Sequence, residues 1–337
     1  MSNSTNSIKQ AFSARKKRQM AKYPKLYPQY NAGGGRKHDD NTNEASAKAL
    51  EGLIQKVKGK PFFNWSVTEP EEHRRLYEAG KCDCFYCIFG WLKKNDSPLP
   101  LWDYEQVLQE TIENESKYIL IRKSTGLGIT SFWLYYWIYR ALQGHLMNKE
   151  VAIIVGPSQQ LAIDLIAKIR SYFLPRGIKF DSRATTLTIN GCTFNSKPSN
   201  HLDSLRSRMD LKVIIVDELD YLVEAPERAI LRDVIERYLA KTDPYIILIS
   251  TPGKDPNTSL MKQIEDEENS IYRKFIFDWT TGYNKIYSDA DIAIAKRSSL
   301  FFIIYCFICS SAGRSVSLCR ALYTPAAINP PMIGATQ

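Results

Sequence analysis

Apolar and polar positions along this chain change period several times. From Tyr118 onward, short unbroken apolar runs alternate with longer stretches whose apolar residues recur every three or four positions. The runs at 118–121, 151–155, 213–216 and 245–250 are short and rich in Ile and Val, so they predict buried strands. The stretches at 131–146, 158–173, 227–239 and 259–268 carry the helical period. Residues 185–189 and 193–195 flank Asn190-Gly191, a pair that favours a two-residue hairpin turn. Residues 272–277 read as a last strand. Strands alternating with helices predict an α/β fold with a mainly parallel central sheet flanked by helices.

Upstream of Tyr118 the pattern is weaker. Residues 1–45 are polar, basic and Gly-bearing (Gly33-Gly34-Gly35) and are expected to be a disordered tail. Ala49, Leu50, Leu53, Ile54 and Val57 predict a helix over 46–60. An aromatic, Cys-bearing segment follows to residue 98, and a further helix is expected over 100–113. The organisation this gives is a basic tail (1–45), a small helical and Cys-bearing subdomain (46–100), an α/β domain (101–298) and an atypical tail (299–337). In that last tail the 46 residues after Asp291 contain no Asp or Glu, and the apolar run at 300–309 is too short to span a bilayer. A frameshifted or misjoined 3′ end is the preferred reading of it, ahead of a membrane-touching tail.

Composition narrows the classes. The chain has 337 residues, 44% hydrophobic and 24% charged, enough for a substantial core. No apolar run approaches the roughly 18 residues of a spanning helix, so no membrane role is expected. No apolar segment follows the basic N-terminus, so no secretory signal is expected. Seven cysteines in no framework pattern suit a reducing compartment with free or metal-bound thiols. The net charge is +9, and nine basic residues lie in 1–38 without a single acid, leaving 36 basic and 36 acidic residues downstream. That tail reads either as an electrostatic arm for nucleic acid or as a solvated extension.

The candidate chemistry lies at strand ends. The run 211–216 ends in Asp217-Glu218, as a Walker B strand of an ATP-hydrolysing P-loop enzyme does: the first carboxylate holds Mg²⁺ and the second polarises the attacking water. Between the strand at 118–121 and the next helix lies Lys123-Ser124-Thr125-Gly126-Leu127-Gly128-Ile129-Thr130-Ser131, the context of a phosphate-binding Walker A loop. Thr130 is the hydroxyl for Mg²⁺. Ile129 occupies the usual Lys position, and Lys123 at the front of the loop is the alternative cation. Ser250 and Thr251 end another buried strand, where polar groups sense the γ-phosphate and couple hydrolysis to motion. Tyr104 and Gln106 suit an adenine contact, by stacking and by amide hydrogen bonding. Cys82, Cys84 and Cys87, with His73 nearby, read either as a Zn²⁺ site or as free thiols in a packed subdomain.

The order of these pieces resembles the large terminase subunit, the DNA-packaging motor of tailed bacteriophages and related archaeal viruses. The resemblance runs from Leu101 to Thr281 and includes Val155-Gly156-Pro157-Ser158-Gln159-Gln160 and Ser204-Leu205-Arg206-Ser207-Arg208. Some terminases, those of the lambda type among them, look similar in placing the Walker A lysine at the front of the loop. The resemblance implies an additional-strand P-loop ATPase using ATP and Mg²⁺, with Arg206 or Arg208 as a finger in cis. It also implies a C-terminal nuclease, whose metal-binding carboxylates have no counterpart after Asp291, so nuclease activity is not expected. The implied partners are double-stranded viral DNA, a portal protein and a small terminase subunit, in a homo-oligomeric ring on the procapsid in the host cytoplasm. The rivals are a superfamily 2 helicase-like DNA-dependent ATPase and a non-hydrolysing ATP- or DNA-binding remnant of a provirus gene.

Overall fold

The computed structural model describes residues 40–297, apart from 68, 91–92, 95–96, 99–100, 157, 181–182, 200–204, 206–207, 222–232, 234, 236 and 254–258. The expectations for residues 1–39 and for the tail 299–337 lie outside the described residues, as does most of the helix expected over 227–239. The chain divides into two units, Met1–Glu44 and Ala45–Gln337, and the second holds the sheet.

Seven strands form that sheet: β1 Tyr118–Lys123, β2 Glu150–Val155, β3 Thr186–Ile189, β4 Cys192–Pro198, β5 Leu211–Asp217, β6 Tyr245–Ser250 and β7 Arg273–Phe277. Their spatial order is β3-β4-β2-β5-β6-β1-β7. Only β3 runs antiparallel to its neighbour, through the hairpin at Asn190 (φ 45°) and Gly191 (φ 73°), whose left-handed backbones this tight turn needs. The fold is therefore the expected α/β architecture, with β6 inserted as the additional strand between β1 and β5.

The sequence pattern explains the layers. Ile119, Ile121, Ile153, Val213, Ile215, Ile247 and Ile249 face one hydrophobic core, while Leu120, Ile154, Ile214, Val216, Ile246 and Leu248 face the other. Alternate residues of a strand point to opposite faces, so a sheet buried on both faces needs the continuous apolar runs seen here.

On the first face lie α1 Asp40–Val57, α2 Pro70–Glu78, α3 Phe85–Phe89, α4 Asp103–Asn114, α5 Ile129–Leu142 and α6 Gln159–Phe173. Helix α1 starts six residues before the expected 46, in an acidic stretch that suits a helix N-terminus. Helix α5 is apolar nearly all round and is buried on both sides. Trp137 meets Tyr245 of β6 at 5.1 Å between ring centroids, while Phe132 and Tyr136 meet Phe62 at 5.8 and 5.4 Å. The Cys-bearing segment thus shares its core with the sheet. On the second face, α7 Leu260–Asp266 contributes Leu260, Met261 and Ile264. Two further helices follow the last strand, α8 Trp279–Gly282 and α9 Asp289–Arg297.

Candidate functional site

In a parallel sheet the crevice opens beyond the C-terminal strand ends. Here β1 ends at Lys123, β5 at Asp217, β6 at Ser250 and β2 at Val155, all on one edge. A cleft of about 460 Å³ opens there, lined by Thr125, Val155, Gly156, Leu161, Leu165, Asp217, Glu218, Tyr221 and Thr251.

The loop from Ser124 to Gly128 joins β1 to α5. Gly126 (φ 86°) and Gly128 (φ 77°) both have left-handed backbones that a side chain would strain. Gly128 caps α5, so the free N–H groups of that helix open at the loop. Thr125 and Gly126 are exposed, whereas Leu127 and Ile129 are each 1% exposed and belong to the core. Ile129 therefore contributes packing, not charge, at the place where a lysine is usual. Ser124 Oγ is buried and finds no hydrogen-bond partner among the described residues. Thr130 Oγ1 donates to Asp217 Oδ1 at 3.0 Å, and Ser131 Oγ accepts from Lys168 Nζ at 2.7 Å.

Lys123 reaches Glu218 Oε1 at 2.9 Å with its side chain only 8% exposed. Glu218 Oε2 accepts from Thr251 N and Thr251 Oγ1 at 3.2 and 3.0 Å. Glu218 itself has a left-handed backbone (φ 58°), a conformation that costs a non-glycine residue about 1–2 kcal/mol. Its side-chain bonds hold it there.

The two carboxylates are driven apart electrostatically. Burial raises the Asp217 carboxyl above the usual range, and the Lys123 charge only partly opposes this. Burial would raise Glu218 too, but the Lys123 charge and the bonds from Lys123 and Thr251 outweigh it and hold that carboxyl below the usual range. Ser250 is fully buried, and its Oγ accepts from Asp220 N at 3.1 Å.

The structure thus brings together Lys123, Ser124, Thr125, Gly126, Leu127, Gly128, Ile129, Thr130, Ser131, Asp217, Glu218, Ser250 and Thr251. Asp217 lines the cleft and Thr130 offers an adjoining oxygen, the donor set a hard divalent cation takes, so they fit Mg²⁺.

Other expected residues lie elsewhere. Tyr104 is 4% exposed; its hydroxyl donates to Leu127 O at 2.8 Å and its ring packs on Phe277, so it supports the loop from beneath and has no open stacking face. The Gln106 amide donates to Glu110 at 2.8 Å on the surface of α4. Arg208 Nη1 pairs with Glu150 Oε2 at 3.1 Å, and Glu150 starts β2. Arg208 therefore sits at the N-terminal edge of the sheet, roughly 20 Å of strand from the cleft. It does not reach this chain's own cleft as a finger in cis must. Arg206 lies outside the described residues.

Several residues that shape the site carry no motif. Lys168 of α6 faces Ser131 and Asp217; burial lowers its amine and Asp217 raises it, with burial prevailing. Tyr287 O–H donates to Thr125 O. Asp220 accepts from Ser259 Oγ (2.7 Å), Met261 N (3.0 Å) and Gly253 N (3.3 Å), tying the end of β5 to the start of α7. Glu105 is buried beside Gly128 and accepts from Trp102 N at 2.8 Å; burial pushes its carboxyl up to about 8. An acid one residue after Tyr104 at a helix start was the available hint for Glu105. The others are visible only in three dimensions.

No protein-family model matches this sequence, and no curated protein matches it. Solved structures similar to it include phage large terminase ATPase domains and a phage large terminase. An arginine-to-alanine variant of the Thermus phage P74-26 large terminase ATPase domain aligns at 14% identity over 72% of this chain and 93% of that one, with a TM-score of 0.42. The unsubstituted domain aligns at 13% identity over 72% and 92%, with a TM-score of 0.43. The bacteriophage HK97 large terminase aligns at 13% identity over 76% of this chain and 54% of that one, with a TM-score of 0.49, so this chain spans about half of that protein's length.

Proposed function

We propose that this chain is a packaging-motor ATPase of the large terminase kind, which hydrolyses ATP to move double-stranded viral DNA into a procapsid. The observation that carries the reading is that Asp217, Glu218 and Thr251 line one cleft beyond the sheet's C-terminal edge, with Lys123 bonded to Glu218 and Thr130 to Asp217. Each has a distinct chemical part. Lys123 and the loop N–H groups neutralise and orient the phosphates. Asp217 and Thr130 hold Mg²⁺, which when bound neutralises charge on the phosphate oxygens. Glu218, ionised and held by two partners, orients the attacking water and accepts its proton. Thr251 bonds to Glu218, so a change at the phosphates is passed to the end of β6.

The order of motifs along the chain supports the same reading and extends it to partners. These are a portal protein, a small terminase subunit and further copies of this chain in a ring on the procapsid, in the host cytoplasm. Of the two arginines considered for the transition state, Arg206 remains, since Arg208 is engaged at the other edge.

The test is steady-state ATP hydrolysis by the full chain, with and without double-stranded DNA, beside Glu218→Gln. DNA-stimulated turnover that disappears in the variant is the expected result. A folded protein that binds no ATP would overturn the reading.

A further inference from the structure

We propose that His73, Cys82, Cys84 and Cys87 form a structural zinc site that fastens the segment 60–89 against α5. This stands apart from the nucleotide reading, because none of the four residues touches the cleft.

All four side chains are buried, and their ligand atoms lie within 4.8 Å of one another. Cys82 Sγ is 3.7 Å from Cys84 Sγ, 3.6 Å from Cys87 Sγ and 3.7 Å from His73 Nδ1. A tetrahedral ion with Zn–S of about 2.3 Å and Zn–N of about 2.0 Å sets its donors about 3.5–3.8 Å apart. The His73 Nδ1 to Cys87 Sγ separation, 3.0 Å, is shorter than that edge.

The imidazole is turned for ligation. His73 Nε2 lies 3.2 Å from the carbonyl oxygen of Asn64. A carbonyl only accepts, so Nε2 carries the proton and Nδ1 presents its lone pair to the sulfurs. A second hydrogen bond that fixes the tautomer and the ring plane is what metal-bound histidines characteristically make.

The backbone presents the sulfurs from a fixed frame. Cys82 N donates to Leu76 O, Phe85 N to Pro61 O and Tyr86 N to Phe62 O. Four protein donors fill a tetrahedron and leave no position for substrate, which makes the site structural.

Its position tells what it braces. Phe63 stacks on His73 at 4.3 Å, and Phe85 meets Tyr135 and Tyr139 of α5 at 6.3 and 5.3 Å. Helix α5 is the one the phosphate-binding loop opens. The ion would thus fix the outer wall of the helix whose inner wall lies on the sheet.

The experiment measures metal in the full chain, purified without chelator, by elemental mass spectrometry. About one zinc per chain is expected, falling at least tenfold in Cys84→Ser and in Cys87→Ser. Cys192→Ala, at a buried cysteine outside the cluster, and Cys306→Ser with Cys309→Ser should keep it. Exchange of the wild-type protein with Co²⁺ guards against variants that fail to fold. The intense visible bands of tetrahedral thiolate-bound cobalt are expected. Absence of both zinc and the cobalt spectrum would overturn the proposal. So would zinc that survives Cys84→Ser and Cys87→Ser but leaves with Cys306 and Cys309.

Discussion

Lys123 Nζ and Glu218 Oε1 stand 2.9 Å apart, so the cation assigned to the phosphates and the carboxylate assigned to the water hold each other directly. On the proposed reading, ATP and Glu218 compete for one ammonium. Glu218→Gln should therefore bind ATP at least as tightly as wild type while turnover falls by about 10²–10⁴. Lys123→Ala should lose affinity as well as turnover, by about 10² or more. The double variant should be little worse than the worse single one, since both remove parts of one unit. Equilibrium binding of a fluorescent ATP analogue, beside hydrolysis rates, separates these outcomes; additive losses would contradict the coupling.

Arg208 gives the opposite expectation. It neutralises Glu150, which is 1% exposed at the far edge of the sheet. Arg208→Ala should leave the isolated chain's ATP hydrolysis within about threefold of wild type but cost about 1–3 kcal/mol of stability, the pair being partly exposed. Urea denaturation and hydrolysis rates on the same preparation check both. A large loss of turnover with unchanged stability would restore Arg208 as a finger.

Glu105 should make stability depend on pH. Its carboxyl rises from the ordinary 4.5 to about 8 because it is buried. Between those values the native state keeps a proton that the unfolded chain has released. Stability therefore falls as pH rises through that window, by up to about 1.4 kcal/mol per unit, and levels off above it. Glu105→Gln removes the ionisable group and should flatten that slope in urea melts at pH 5.5 and 8.5, chosen as about the ends of the window. An unchanged slope would place the titrating group elsewhere.

Asp220 should matter for stability more than for ATP binding. It accepts three hydrogen bonds from the start of α7 and the segment after β6. Asp220→Ala should cost about 2–4 kcal/mol, and Asp220→Asn less, because Asn keeps one acceptor. ATP affinity should change little in either, as read by the same fluorescent analogue.

The strand ending in Asp217-Glu218 and the loop after Lys123 were legible because both are local: an apolar run, then polar groups whose direction follows from strand polarity. Strand polarity also argues against Arg208. A residue just upstream of a parallel strand lies at the edge away from the crevice, which motif order alone does not convey. Tyr104 was singled out for stacking on adenine and proves to be buried, because a helix start does not say which face meets the loop. Lys168, Asp220 and Tyr287 act through partners 30 or more residues away, so no local pattern announces them. The four residues around Cys82 were visible as a list, but their mutual distances belong to the fold.

Lys123 is the last residue of β1, with Phe277 beside it in register, and is not part of the turn that follows. Its neighbour Arg122 points to the opposite face and pairs with Glu265 at 3.3 Å. The positive charge of the cleft is therefore indexed by the pleat: a slip of one residue in β1 would exchange lysine for arginine and carry the ammonium through to the other side of the sheet. The turn between Ser124 and Gly128 follows that charge in the chain and does not set which face of the sheet it lies on.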